Sequence, residues 1–458
     1  MDNLQPPQIH SIIHQASRVI INTKTFTIFS IIIFIKASFK VKESRNALNP
    51  SEINTTTAWS KHDTHWVLSL FGTAVGAGIL FLPINLGIGG FWPLVAMAVL
   101  AFPMTYLAHR GLARFVLSSK IKNADFTDVV EEHFGAKAGR SISLLYFLSI
   151  FPILLIYGVG ITNTVDSFMV NQADMASLPR PLLSGVLVFA LIAIMMAGEK
   201  VMLRAFAIMV FPLVAILAFL SFYLIPNWTM PVMDVPEASA FASTMWLAVP
   251  VVIFSFSHAA AISSFANVQR RHYGKQADAK SEVILRRTSI MLIAFVLIFV
   301  FSCVLTLSPE QLAQAKEQNV SVLSYLANAT DNPFIATLGP LVAFVAITSS
   351  FLGHFLGARE SLNGLINKHF NLSEKRVDRI SVAALFFSIW AAAIMNPSIL
   401  GMMEALSGPV IAMILFIMPM LAVYKIEAMK QYRGNVSTYF VLAAGIVAVS
   451  ALIFSFFS

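Results

Sequence analysis

Long apolar runs separated by short polar connections dominate the chain from Trp66 onward. A transmembrane helix needs about 20 predominantly apolar residues to cross roughly 30 Å of hydrocarbon. Eleven runs approach this length: 66–86, 91–115, 141–168, 181–198, 201–224, 244–266, 289–308, 334–356, 380–395, 399–423 and 437–456. The pattern therefore predicts an all-α integral membrane protein with eleven transmembrane helices.

The first run contains three glycines in seven residues, from Gly72 to Gly78. Each glycine weakens a helix by about 1 kcal/mol relative to alanine, here at a depth where water cannot satisfy the backbone. A break at this depth is tolerated where protein or a polar cavity covers the freed groups, as in the interrupted helices of transporters. The alternative is close helix packing through Gly72 and Gly76, and this run alone does not decide between the two.

The sixth run has a polar interruption at its centre, Phe254-Ser255-Phe256-Ser257-His258. Pro250 removes one helix hydrogen bond a turn earlier, and polar groups at mid-membrane usually face the bundle interior. Because the two interrupted runs are five helices apart, the two halves run in opposite directions through the membrane. This arrangement predicts a leucine-transporter-like inverted repeat of five plus five helices, with the eleventh helix added.

The repeat divides the chain into four segments. Residues 1–60 form a polar N-terminal tail, 61–224 the first half, 244–424 the second half, and 425–458 a loop with the last helix. The tail contains an apolar island, Phe26 to Ile35, which is too short to cross a bilayer. We interpret the tail as cytoplasmic and either interfacial or disordered.

Composition and charge agree with this interpretation and set the orientation. The chain is 57% hydrophobic and 12% charged, outside the range of ordinary soluble domains. Of its 31 Lys and Arg residues, 22 fall in the loops predicted on one side and two in the loops on the other. The positive-inside rule then places the N-terminus in the cytoplasm and the C-terminus outside. The net charge of +8 thus reflects topology rather than nucleic-acid binding. Cys303 is the single cysteine, which excludes a disulfide and a cysteine metal site.

Two broken helices would offer backbone groups that bind two kinds of charge. A half-helix N-terminus presents free amides and a positive dipole end, which suit a carboxylate, whereas unwound carbonyls suit a cation. A small zwitterion with a coupling cation therefore matches this chemistry better than a sugar or a nucleotide. The candidate substrate-binding residues are Thr73, Ala74, Gly76, Ala77, Gly78, Tyr157, Phe254, Ser255, Phe256, Ser257 and His258.

Three ionisable residues within the runs are candidate proton carriers: His258, His354 and Glu404. Histidine titrates near neutral pH and therefore suits this role. The competing interpretation of Glu404 is a structural carboxylate ahead of a kink at Gly408-Pro409.

Seven ordered blocks carry a family resemblance: Gly72–Ile84, Ala101–Thr105, Val129–Gly135, Ile161–Thr164, Phe301–Leu307, Gly353–Glu360 and Asn396–Leu400. They resemble the hydroxy and aromatic amino acid permeases, and more narrowly the bacterial serine and threonine transporter branch. The resemblance runs from about Trp59 to Ser458. It implies a leucine-transporter-like fold, cation-coupled uptake of L-serine or L-threonine, and a place in the bacterial inner membrane with a periplasmic C-terminus.

Two departures from that branch bear on substrate and coupling ion. The serine branch usually shows Phe-Ser-Phe-Asn-His-Ser-Pro, whereas residues 254–260 read Phe-Ser-Phe-Ser-His-Ala-Ala. The retained His258 favours serine over threonine, although the changes around it leave the substrate open. Proton-coupled relatives tend to read Ala-Ile-Thr-Lys-Ser-Phe, whereas this chain has Ser349 in place of the lysine.

In sodium-coupled members of this fold, a hydroxyl pair at that place binds sodium together with carbonyls of the first break. The resemblance therefore implies a cation site formed by Gly72, Val75, Ala346, Ser349 and Ser350. We hypothesise Na⁺ where relatives use H⁺. The alternative is that Ser349 only packs, as small residues do between membrane helices, and both ions stay open. No other metal and no cofactor are expected.

Other functions remain as alternatives. An aromatic amino acid permease belongs to the same family, and a channel or an amino-acid-sensing receptor belongs to another class. An enzyme is disfavoured because the sequence has no paired catalytic carboxylates, no HExxH and no Walker-type loop. The expected partners are an amino acid and the lipid bilayer, without nucleic acid. The oligomeric state is open.

Overall fold

The computed structural model describes residues 58–455 except 122, 123, 125, 198, 232 and 371. Residues Trp59–Ser458 form one compact unit. The predicted tail lies outside the described residues apart from Ala58 to Ser60, and so does its apolar island. All regular secondary structure in the described part is helical.

The main helices follow one another with short connections. In chain order they are α1 Lys61–Ala74, α2 Ala77–Ile88, α3 Phe91–Leu117, α4 Phe126–Asn171, α5 Arg180–Met196, α6 Glu199–Tyr223, α7 Ala238–Phe256, α8 Ala259–Tyr273, α9 Ala277–Thr306, α10 Pro309–Glu317, α11 Val322–Ala329, α12 Pro333–His369, α13 Glu374–Met395, α14 Ile399–Lys425 and α15 Val436–Ser455.

Both predicted breaks are confirmed. Helices α1 and α2 meet at Val75-Gly76 with a bend of 60°, and both residues have extended backbone. The sixth run is interrupted at Ser257-His258, between α7 and α8. Helix α7 continues past Pro250 to Phe256, so the break lies after the polar stretch has begun rather than at the proline.

Several helices continue beyond the predicted apolar runs. The α4 range holds two helices that meet at a kink at Gly135, whose φ is 81°, so the membrane helix begins after Gly135 rather than at 141. Helix α9 begins at Ala277 rather than at 289, and α12 ends at His369 rather than at 356. These extensions lie at ends predicted to be cytoplasmic, where polar residues continue the helical hydrogen bonding in water. Hydropathy marks the apolar layer and not the helix end, so the apolar runs do not predict these polar extensions.

Helix α14 passes through Gly408-Pro409 without ending. The sequence suggests a kink there, but the helix instead widens into two π-helical stretches, Met403–Ser407 and Met413–Ile417. A π-helical stretch accommodates a proline such as Pro409, which has no backbone N–H to donate to the regular series of helix hydrogen bonds. A methyl group at Gly408 would lie 2.3 Å from the Pro250 carbonyl oxygen of α7. Glycine is therefore required for the close contact between α14 and α7.

The structure supports eight or nine membrane crossings directly. Eight helical stretches in the described part are long and apolar enough, and the bent pair α1–α2 makes nine. Arg180–Met196 and Pro212–Asn227 are apolar but shorter. Each of the eleven predicted runs overlaps a helix, and the exact number of crossings stays a prediction. Exposed side chains such as Phe189 and Phe387 give the bundle an apolar surface suited to lipid.

A buried ion pair fixes the first half-helix at the end predicted to be cytoplasmic. Lys280 Nζ lies 3.1 Å from Asp63 Oδ2, and both side chains are at most 8% exposed. Tyr273 donates a hydrogen bond of 2.5 Å to the other carboxylate oxygen, and the Ser60 amide also donates to Asp63. Burial alone would raise the pKa of Asp63, but the hydrogen bonds from Tyr273, Ser60 and Lys280 hold it below its ordinary value. Helix α1 is thereby anchored to α8 and α9.

We expect Lys280→Met to lower the unfolding free energy by about 3 kcal/mol, because it leaves the Asp63 carboxylate buried without its cation. Heat unfolding in detergent measures the loss. Lys275→Met, at an exposed lysine in the connection between α8 and α9, is the matched control and should change little. Adding Asp63→Asn to Lys280→Met should recover most of the loss. Equal unfolding temperatures for Lys280→Met and Lys275→Met would contradict the anchoring role.

Candidate functional site

The two breaks lie against each other and share a hydrogen bond. Ser255 Oγ of α7 donates to the Gly78 carbonyl of α2 at 3.1 Å. A methyl group at Gly78 would come within 2.8 Å of the Phe254 ring and 3.1 Å of the Ser255 Cα. Only glycine allows this approach, so the glycine-rich stretch has a packing role as well as breaking the helix.

Gly76 brings the first break against α12 and α4. A methyl group at Gly76 would lie 1.8 Å from Ser350 Oγ and 3.9 Å from the Tyr157 hydroxyl. His354 Nδ1, one turn along α12, lies 2.8 Å from the Ser350 carbonyl, and its ring packs edge-to-face on Tyr157. The first break, the third run and the eighth run thus meet at one point.

A cavity of about 290 Å³ lies between the breaks. Its walls are Thr73, Ala74, Gly76, Gly78, Ile153, Tyr157, Phe254, Ser255, Ser257, Ser350 and His354. This set includes most of the predicted substrate-binding residues. None of the walls carries a carboxylate, an ammonium or a guanidinium group.

Three predicted substrate-binding residues do not line this cavity. Ala77 is buried in the first turn of α2. Phe256 faces a separate apolar space beside α3 and α14. His258 lines an adjoining cavity of about 400 Å³, which shares Thr73, Ser257 and His354 with the first.

The candidate cation ligands are close to the same region. Gly72 lies in the last turn of α1 and Val75 at its end, where a helix leaves carbonyls without intrahelical partners. Ser349 is buried and donates to the Ala346 carbonyl at 3.1 Å. Ser350 borders the central cavity. Hydroxyl and carbonyl oxygens are the ligands that a hard cation prefers.

The candidate proton carriers lie in two different places. His258 and His354 reach the two adjoining cavities. Glu404 belongs to neither; it accepts a hydrogen bond of 2.8 Å from Asn85 of α2. The structure therefore brings the two histidines together and leaves Glu404 nearer the opposite end of α2.

Sequence reasoning missed His109 of α3. Its ring is stacked on that of His258, with centroids 3.5 Å apart and planes inclined by 7°. The backbone N–H of His258 donates to His109 Nε2 at 3.0 Å, and His109 Nδ1 lies 2.7 Å from the Thr105 carbonyl. A histidine inside the second apolar run was the available signal, but its position next to Arg110 made it resemble a loop residue.

A polar cluster closes the end opposite to the Asp63 anchor. Asn163 Nδ2 donates to the Asn319 carbonyl at 2.8 Å and to Asn396 Oδ1 at 3.0 Å. Arg180 donates to Asn163 Oδ1 at 2.7 Å. These contacts join α4, α5 and the loops that precede α11 and α14. The central cavity therefore has a hydrogen-bonded closure toward each end of the bundle.

Three comparisons bear on the identity of this chain. The serine transporter SdaC of Escherichia coli (strain K12) is 51% identical over 413 residues, covering 88% of this chain and 96% of that protein. The threonine/serine transporter TdcC of Yersinia enterocolitica is 39% identical over 427 residues, covering 87% of this chain and 97% of that protein. The crystal structure of MhsT in complex with L-phenylalanine aligns with a TM-score of 0.54 at 17% identity, covering 87% of this chain and 98% of that chain.

The chain has two broken helices around a small cavity, on the leucine-transporter-like fold shared with MhsT. Together with the matches to SdaC and TdcC, these features define a multi-pass membrane transporter. The chain belongs to the tryptophan/tyrosine permease family, which matches residues 65–456. The resemblance seen in the sequence is thereby confirmed, and so is the prediction of a transporter rather than an enzyme.

We expect Gly78→Ala to lower the unfolding free energy by about 1–3 kcal/mol, because its methyl group overlaps the Phe254 ring and the Ser255 backbone. Heat unfolding of the purified protein is the measurement. Gly353→Ala is the control, since that glycine lies in α12 with no atom within 4 Å of an added methyl group. If the two variants unfold at the same temperature, α2 and α7 do not pack as closely as described.

Proposed function

We propose that this protein is a secondary active transporter that imports a small hydroxy amino acid, L-serine first and L-threonine next, by symport with Na⁺ or H⁺. The observation that carries the proposal is the cavity between two broken helices, bridged by the bond from Ser255 to Gly78. The names of the relatives SdaC and TdcC support serine and threonine as substrates.

The chemistry of the cavity suits a small zwitterion. Because its walls carry no charged side chain, the backbone ends of the half-helices must balance the two charges of the substrate. Gly76 begins α2 without a side-chain cap, which leaves the first amides of α2 available to a carboxylate. The hydroxyls of Ser255 and Ser257 are suited to the substrate hydroxyl. An aromatic substrate is the alternative within the family, and a channel or a receptor is the alternative from another class.

The proposed topology has eleven crossings, with five plus five helices in inverted repeat and α15 added. The two shorter apolar helices, Arg180–Met196 and Pro212–Asn227, supply the crossings beyond nine. The charge bias of the loops supports a cytoplasmic N-terminus and a periplasmic C-terminus. The bacterial relatives support a place in the inner membrane.

The proposed coupling ion is Na⁺, held by carbonyls of Gly72, Val75 and Ala346 and by the hydroxyls of Ser349 and Ser350. The burial of Ser349 and its position one turn from Ala346 support this site. Proton coupling through His258, His354 or Glu404 is the alternative. The positions of His258 and His354 in the cavity walls favour proton coupling.

We expect radiolabelled L-serine to accumulate in proteoliposomes under an imposed cation gradient, with threonine competing more strongly than tryptophan. Parallel vesicles carry either a Na⁺ or a H⁺ gradient at equal membrane potential. Stronger competition by tryptophan would favour the aromatic alternative. Flux that does not saturate would favour a channel, and the absence of any amino acid uptake would remove the proposal.

We expect Ser349→Lys to make uptake independent of Na⁺, because the lysine ammonium takes the place of the bound cation. Ser349→Ala is the matched variant: it removes one oxygen ligand without supplying a charge, so it should raise the Na⁺ concentration for half-maximal uptake. Ser349 is the better position to change, since Ser350 also contacts Gly76. Unchanged ion dependence in both variants would reject the Na⁺ site while leaving the transporter intact.

A further inference from the structure

The stacked histidines His109 and His258 occupy the second break, and both are 1% exposed. They come from different parts of the chain: His109 lies in the second half of α3, and His258 is the N-cap residue that precedes α8. Their rings overlap face to face, with centroids 3.5 Å apart. Such stacking is favourable for two neutral rings and unfavourable for two cations.

The hydrogen bonds assign the neutral tautomer of His109. Its Nδ1 faces the Thr105 carbonyl at 2.7 Å and must therefore carry the proton. Its Nε2 faces the backbone N–H of His258 at 3.0 Å and must therefore accept. This amide begins α8 at a break in which no side chain of α8 caps the helix. His109 thus satisfies a helix-terminal donor that would otherwise be buried and unpaired.

His258 has the complementary arrangement. Its Nδ1 lies 3.2 Å from the Phe256 carbonyl, which leaves Nε2 as the free nitrogen. That Nε2 is buried and has no hydrogen-bond partner within the described residues. It lines the cavity that holds Thr73, Ser257 and His354. His109 fixes the position of this nitrogen, because it stacks on the His258 ring and accepts a hydrogen bond from the His258 amide.

We propose that His109 is a positioning residue for transport: the neutral ring holds the second break in its closed geometry, and protonation of His109 releases it. This role in transport rests on the proposed function. Protonated Nε2 is a donor and cannot accept from the His258 amide. A second proton on His258 would also place two cations in face-to-face contact.

Few other charged groups face this pair. On α3 itself, Arg110 is ion-paired with Glu282 of α9 at 3.0 Å and turns away from the rings. The walls around the two histidines contribute His354 from α12 and Tyr146 from α4 as titratable groups. Helix α14 contributes Ile411, Ile414, Leu415 and Phe416, which are apolar. Proton uptake at the pair is therefore not compensated by a carboxylate on these walls.

The direction of the pH effect follows from the hydrogen bond. The accepting form of His109 is the neutral one, so the closed break is favoured at high pH and lost as the pH falls. If the closed break binds substrate, acidification weakens binding whichever cation drives transport. A ring released into water has the ordinary histidine pKa near 6.5, so the balance shifts roughly tenfold toward the released break at one pH unit below that value.

The test uses the full-length protein with equal pH on both sides, and reads both L-serine binding and heat unfolding between pH 8 and 5.5. His109→Gln keeps an acceptor for the His258 amide but cannot be protonated. His109→Phe keeps a flat ring against His258 but cannot accept. His133→Gln, at a histidine bonded to Ser118 outside the pair, controls for loss of any titrating imidazole.

Wild type and His133→Gln should both lose serine affinity roughly tenfold on acidification. His109→Gln should lose most of that dependence. His109→Phe should show weakened binding at every pH, roughly tenfold for one unsatisfied buried donor, and a lower unfolding temperature than His109→Gln at pH 8. The difference in unfolding temperature between His109→Phe and His109→Gln can be measured without serine.

The proposal is overturned if His109→Gln keeps the wild-type pH dependence, or if His109→Phe matches His109→Gln in unfolding temperature at pH 8. A purely structural role predicts lower stability in both variants with an unchanged pH profile of binding. Failure of the wild type to bind serine would remove the proposed function. In that case the pH dependence of unfolding in the His109 variants still decides whether the ring holds the break.

Discussion

The structure depends on satisfying backbone groups where two helices are interrupted inside an apolar bundle. An unpaired amide or carbonyl there costs several kcal/mol, since no water replaces the missing partner. A side chain from another helix contacts the backbone at each break. Ser255 donates to the Gly78 carbonyl, which lies inside α2 beside the first break, and His109 accepts from the His258 amide, which is a terminal donor of the second break.

These two bonds give the half-helices a defined arrangement around a small polar space. The glycines serve the same end, because Gly76 and Gly78 let the first break approach α12 and α7 closely. A side chain at either position would separate the elements whose contact forms the cavity. The features that weaken a continuous helix are thus the ones that allow the broken helix to be packed.

Both ends of the bundle are closed by polar contacts, but the chemistry of the two closures differs. At one end, the buried pair of Asp63 and Lys280 ties α1 to its neighbours. At the other, neutral amides of Asn163, Asn319 and Asn396 are joined with one guanidinium, that of Arg180. Removing one partner of a buried ion pair leaves an uncompensated charge, whereas amides exchange hydrogen-bond partners with water at lower cost. The contact at α1 is therefore the more sensitive of the two to the loss of a single side chain.

The sequence by itself determined the class of the protein and the place of its site. Apolar run length, loop charge and the interruptions at Gly72–Gly78 and Phe254–His258 are local features, and they led to a helical membrane transporter with most of the cavity residues. The helix ends at Ala277 and His369 were missed because polar residues extend a helix without a hydropathy signal. Only the tertiary structure could pair His109 with His258, exclude Phe256 from the central cavity and bring Asn85 to Glu404. These contacts join residues far apart in the chain, and side-chain direction across a helix interface is fixed by packing rather than by any local pattern.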